Sequence, residues 1–188
     1  PGKGMGGYAV IRQYDFAPLD GITKTVFRRV WNDQFGGADR FFIPFFSPTS
    51  EHVMTSRDLK ELDRARNAGL ELVPQVMTKR AEDFLWATEI VKDLGYTEAN
   101  LNLGCPSGTV VSKGKGSGML RDSEHLARFL EEIFRDSVLP VSVKTRLGLE
   151  DPEEFPALLE VFNRYPITEL TVHPRVRKDF YKVCVFCC

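Results

Sequence analysis

Two hydrophobic periods take turns along this chain. Short runs rich in β-branched, aromatic and aliphatic residues lie at 14–17, 40–45, 72–77, 99–103, 140–145 and 169–173, each fitting a buried strand. Between them run longer stretches whose apolar positions recur at helical spacing. In 123–135, for example, Leu126, Phe129, Leu130 and Ile133 share one face. Helices are predicted over 24–34, 81–94, 123–135 and 154–164, with Thr23 as the N-cap of the first and Gly95 closing the second. A polar loop is expected through His52 to Arg57, and a glycine-rich loop after the fourth strand.

This alternation is the pattern of βα units around a parallel sheet. The spacing of about 25 to 40 residues per unit gives about six units, whereas a closed (β/α)8 TIM barrel takes eight and about 250 residues. The predicted fold is therefore an incomplete TIM barrel with exposed edges on its first and sixth strands. An open doubly wound sheet competes, but no Gly-x-Gly-x-x-Gly turn follows the first strand, where Pro18 and Asp20 stand instead. The expected organisation is a lead-in over 1–13, a partial barrel over 14–182 and an aberrant cysteine-rich tail over 183–188.

Composition narrows the function classes. With 43% hydrophobic and 27% charged residues the chain reads as an ordinary globular protein. Its 25 basic and 26 acidic residues argue against a bulk polycation, while leaving room for a local basic stripe. No apolar run reaches the roughly 18 residues of a membrane span, and the start has no signal-peptide core, so a cytoplasmic location is the default expectation. Cys184, Cys187 and Cys188 crowd the end without the second ligand pair of a closed zinc site, so no metal is expected.

In a β/α barrel the chemistry gathers where strands end and βα loops begin. Polar residues collect at those points here: Gln75 on the third strand, Asn102 and Cys105 at the fourth, Lys144 and Arg146 at the fifth, His173 and Arg175 at the sixth. Each alone could be a satisfied core residue, but their shared position on successive strands points to a site. Cys105 is presented from a loop between Gly104 and Pro106, the setting of a chemically active thiol. The run Gly114-Lys115-Gly116-Ser117-Gly118 lacks the spacing of an ATPase loop and reads as a mobile lid, with Lys113 and Lys115 near phosphates.

These residues resemble the motifs of the tRNA-dihydrouridine synthases. Ala17-Pro18-Leu19-Asp20-Gly21-Ile22-Thr23 is similar to that family's opening flavin motif, and Asn102-Leu103-Gly104-Cys105-Pro106-Ser107 to its catalytic-cysteine motif. Val143-Lys144-Thr145-Arg146 and Val172-His173-Pro174-Arg175 resemble its next two strand ends. The resemblance runs from about Tyr14 to Tyr181, in family order; Leu19 stands where the family often has methionine.

It implies an FMN-dependent enzyme that reduces the C5–C6 double bond of uridine in tRNA with electrons from NADPH or NADH. Pro18, Leu19, Asp20, Gln75, Asn102, Lys144 and His173 would hold the flavin, and Asn102, Arg146 and Arg175 would meet the substrate. Hydride would reach uracil C6 from the reduced flavin. Cys105, as a neutral thiol, would protonate C5, with Lys144 stabilising developing charge. The resemblance further implies a monomer without membrane attachment, whose remaining barrel units and helical tRNA-binding domain would follow residue 182. The chain by itself is then expected to be weak or inactive. Rival readings are an FMN barrel acting on free pyrimidines and a Schiff-base aldolase or lyase using Lys144.

Overall fold

The protein is described from a computed structural model covering residues 13–182. Six strands form one sheet in chain order: β1 (Asp15–Phe16), β2 (Arg40–Phe46), β3 (Leu72–Val76), β4 (Ala99–Leu103), β5 (Val141–Gly148) and β6 (Leu170–Val176). Every neighbouring pair is parallel. The helices α1 (Thr25–Gln34), α2 (Ser56–Leu62), α3 (Ala81–Asp93), the single turn α4 (Gly108–Val111), α5 (Ser123–Asp136) and α6 (Phe155–Phe162) fall between strands. This is a curled arc of a β/α barrel, as the alternation predicts.

Strand periodicity sorts the side chains. On β4, Ala99, Leu101 and Leu103 are wholly buried in the apolar layer shared with Phe84, Ala87 and Val91 of α3 and Leu126, Leu130 and Ile133 of α5. The alternate residues Asn100 and Asn102 lie on the sheet's opposite, concave face, since successive strand side chains point to opposite sides. On β5, Val141 and Val143 join the apolar layer while Ser142, Lys144 and Arg146 take the concave side. Parallel pairing of Asn100 with Ser142, Asn102 with Lys144, and Arg146 with His173 stacks these polar groups in tiers.

The amino end of that concave face is closed by charge. Arg40 opens β2 and bonds Asp15 of β1 through Nε at 3.0 Å, Glu98 through Nη1 at 3.1 Å and Glu169 through Nη2 at 2.5 Å. Residues that flank the amino ends of β4 and β6 thus meet one guanidinium from β2, which ties the two sides of the arc together.

Helix ends follow local chemistry, with two departures from the expected pattern. Asp122 caps α5 by accepting from the backbone N–H groups of Glu124 and His125 at 3.0 and 2.9 Å. The α3 helix closes as expected at Gly95, whose φ of +87° lets its N–H reach the Lys92 carbonyl while the Tyr96 N–H reaches that of Val91. Thr23 does not cap α1; Lys24 holds that position, and the Thr23 hydroxyl instead accepts from the Leu19 N–H at 2.8 Å, rounding the β1–α1 turn. The second departure is α2, which begins inside the expected loop and is capped by Thr55.

The last two strands also run further at their carboxyl ends than expected, while β1 and β3 are slightly shorter than the 14–17 and 72–77 expected. β5 continues to Gly148 and β6 to Val176, so Lys144, Arg146, His173 and Arg175 lie within strands near their carboxyl ends.

Candidate functional site

A cavity of about 490 Å³ opens at the carboxyl end of the sheet. Pro18, Leu19 and Asp20 approach it from the β1–α1 turn, Gln75 from β3, Asn102 and Cys105 from β4 and its loop, Lys144 and Arg146 from β5, and His173 from β6. Nine of the ten residues singled out from sequence therefore converge on one space. The tenth, Arg175, sits beside it with Nη1 2.7 Å from Nε2 of His173.

The amides are held firmly. Asn102 Oδ1 accepts from the backbone N–H groups of Gly104 and Cys105 at 3.1 and 2.9 Å, turning the chain so that the Cys105 side chain meets the cavity. Asn102 Nδ2 donates to Gln75 Oε1 at 2.8 Å, joining β4 to β3 across the floor of the site.

The glycine run is not a mobile lid. Gly116–Arg121 forms a 3-10 turn with Gly116, Ser117, Met119 and Leu120 buried. Ser117 donates twice to the Cys105 carbonyl, from its hydroxyl at 2.8 Å and its N–H at 3.1 Å. Gly116 has a φ of +56°, and a Cβ built there would stand 2.9 Å from the Cys105 Cβ. Glycine is needed for this close approach. The run clamps the cysteine loop from behind. Sequence reasoning missed that role because glycines demanded by close packing and glycines conferring mobility look alike in one dimension.

Electrostatics distinguish the groups. Burial pushes the Cys105 thiol above its ordinary range, with Asp20 adding to the rise, so the sulfur carries its proton at neutral pH. Burial pushes Lys144 down, and the Arg146 guanidinium pushes it further. Among the described residues no carboxylate lies within ion-pair distance of Lys144. His173 is held down to about 4 by burial and by Arg146, Lys144 and Arg175, and is neutral above that pH. Because a guanidinium can only donate, Nε2 of His173 is the acceptor toward Arg175 and Nδ1 carries the proton.

Arg146 has a further job that the sequence did not reveal. It is 1% exposed, with Nε donating to the Gly104 carbonyl at 2.8 Å and Nη1 to those of Val176 and Phe180 at 3.1 and 3.0 Å. Its guanidinium lies 5.4 Å from the Tyr181 ring centroid. It thereby binds the cysteine loop to the segment after β6, and contributes positive charge from a fixed place. The cysteines at 184, 187 and 188 lie outside the described residues.

A parallel β/α arc with a polar, cationic cavity at the carboxyl ends of its strands defines a barrel-type ligand-binding site of the kind used by cofactor-dependent enzymes. The family model of dihydrouridine synthase matches residues 15–184, and the chain belongs to that family. It is 32% identical over 173 residues to a probable tRNA-dihydrouridine synthase of Staphylococcus epidermidis, covering 89% of this chain and 51% of the relative. It is likewise 32% identical over 171 residues to probable tRNA-dihydrouridine synthase 2 of Bacillus subtilis, and 30% identical over 173 residues to a probable tRNA-dihydrouridine synthase of Staphylococcus aureus. The chain spans about half the length of these relatives.

Proposed function

We propose that this chain carries the flavin- and uridine-facing part of an FMN-dependent tRNA-dihydrouridine synthase, working in the cytoplasm as a monomer. The observation that carries the reading is the meeting in one cavity, floored by Gln75 and Asn102, of the Cys105 thiol, whose pKa burial raises, and Lys144, a cation with no carboxylate partner among the described residues.

The residues present suit FMN. A cavity of about 490 Å³ is within the usual range for a cofactor. Gln75, fully buried, keeps amide capacity beyond its two bonds, and an isoalloxazine edge offers matching donors and acceptors. Lys144 stabilises negative charge on such a ring, while Pro18, Leu19 and Asp20 supply backbone and apolar contact and neutral His173 a further hydrogen bond. Bound there and reduced by NADPH or NADH, FMN supplies hydride for C6 of uracil.

The chain's own part in the reaction is proton delivery. Cys105 gives its Sγ proton to C5, completing the addition of hydride and proton across the double bond, and the thiolate left behind regains a proton from solvent. Asn102 fixes the Cys105 loop and offers its amide to the base. Arg146 and Arg175 add positive potential at the mouth, where an extruded uridine brings its phosphates.

The test is a titration of the full chain with FMN, followed by incubation with NADPH and unmodified tRNA. FMN is expected to raise the denaturation midpoint, and Cys105→Ala to preserve that shift while abolishing whatever dihydrouridine formation the parent chain supports. Absence of an FMN-dependent shift overturns the reading, and reduction of free uracil as readily as tRNA moves it to a free-pyrimidine reductase. The depressed Lys144 amine also suits a Schiff base. Borohydride trapping of a carbonyl compound on Lys144 would favour that second reading.

A further inference from the structure

We propose that Glu98, at the amino end of the sheet, is a positioning residue for the cavity at the opposite end. It anchors the lower end of a file of hydrogen bonds that keeps Gln75 and Asn102 in one orientation and, through them, holds the Cys105 loop.

The file crosses the concave face of β3, β4 and β5. Asn102 Nδ2 donates to Gln75 Oε1 at 2.8 Å, Gln75 Nε2 to Asn100 Oδ1 at 2.7 Å, and Asn100 Nδ2 to Ser142 Oγ at 2.9 Å. Ser142 Oγ in turn donates to Glu98 Oε1. Gln75, Asn100 and Ser142 are fully buried and Asn102 is 8% exposed, so water is a poor substitute for any missing partner.

Carboxamides and hydroxyls can face either way, but the two ends of this file cannot. At the top, Asn102 meets two backbone N–H groups, which only donate, so Oδ1 must face them. At the base, Glu98 accepts on both oxygens, from Ser142 Oγ at Oε1 and from Arg40 Nη1 at Oε2, 3.1 Å away, and the guanidinium can only donate. With both ends fixed, each group between them has one orientation. Gln75 therefore turns Oε1 toward Asn102 and Nε2 toward Asn100, which determines what it offers the cavity.

Replacing Glu98 by glutamine reverses the lower end. Arg40 only donates, so the new carboxamide oxygen must face it and the new N–H groups face Ser142. Ser142 Oγ can then keep the file's direction only by accepting from both the new amide and Asn100, which strands its own proton in a fully buried site; otherwise the reversal passes through Asn100 and Gln75 and collides at Asn102, and either outcome loosens the hold on the Cys105 loop. The catalytic meaning of this file rests on the flavin reading above; its geometry does not.

The experiment uses the full chain without flavin or tRNA, so its failure and that of the flavin reading are separable. Cleavage after Lys92 and Lys113 isolates Cys105 as the sole cysteine of peptide 93–113, apart from Cys184, Cys187 and Cys188. Its alkylation rate by iodoacetamide is read by mass spectrometry, alongside the side-chain amide resonances of Gln75, Asn100 and Asn102. Glu98→Gln and Ser142→Ala should each raise the alkylation rate roughly three- to tenfold and displace those resonances, the scale of losing one buried hydrogen bond. Glu169→Gln perturbs the same Arg40 but lies off the file, and should stay within about twofold of the parent by the same scale. If Glu98→Gln does not fold, Ser142→Ala, which removes one oxygen, carries the test alone. Alkylation of Cys105 at the parent rate in the folded variants overturns the proposal, whatever the resonances do.

Discussion

The two ends of this sheet use charge in opposite ways. At the amino end Arg40 is met by Asp15, Glu98 and Glu169, each within 3.1 Å. At the carboxyl end Lys144 and Arg146 crowd into a cavity whose described lining contains one carboxylate, Asp20. Burial without compensation is costly, so the first arrangement is what stability selects and the second is what a ligand must complete. A cation held apart from acids is available to a flavin edge, a developing enolate or a phosphate. The barrel scaffold permits this division because its two rims are remote from each other while its strands run continuously between them.

The contrast can be broken most forcefully at the base. Arg40→Met leaves three carboxylates facing one another and should destabilise the fold by about 3 kcal/mol or more, read from urea denaturation. Next comes the clamp behind the cysteine. Gly116→Ala forces a Cβ to within 2.9 Å of the Cys105 Cβ at a φ of +56°, and should cost about 2 kcal/mol and speed alkylation of Cys105.

A smaller effect follows from pH. His173 titrates near 6.5 when unfolded and at about 4 when folded, so the unfolded chain takes up the proton first as pH falls. Its contribution is complete above pH 6.5 and is lost between 6.5 and about 4. Partial exposure and solvent screening reduce that loss to about 1 kcal/mol. His173→Asn should flatten this part of the stability curve, as measured by denaturation midpoints across the range. Lys144→Met should have the smallest effect of all, within about 1 kcal/mol of neutral or slightly stabilising, because it removes a partly buried cation that has no carboxylate partner among the described residues.

Much of this was legible in the chain. The alternation Ala99, Asn100, Leu101, Asn102, Leu103 gives both the strand and its two faces, and the same reading of Val141 to Arg146 brings Lys144 and Arg146 to the side that Asn102 occupies. Asn100 and Ser142 carry the identical signal, but they lie toward the amino ends of their strands, away from the rim where barrel chemistry is expected. α2 was hidden by its own polarity: of its seven residues only Leu62 is buried, which leaves little helical periodicity to detect. The base network was beyond reach for a different reason. Arg40 meets partners 25, 58 and 129 residues away, and no local pattern links positions so far apart. Thr23 misses the cap position by one residue, and its hydroxyl serves the nearer Leu19 N–H.

The central claim is that Lys144 waits for an anionic or polar ligand instead of supporting the fold. The direct measurement is the urea midpoint of the parent chain and of Lys144→Met, each with and without FMN. The parent midpoint should rise with FMN, while the variant should start at or above the parent value and fail to respond. A Lys144→Met chain that loses as much stability as Arg40→Met, or a parent chain indifferent to FMN, would contradict it.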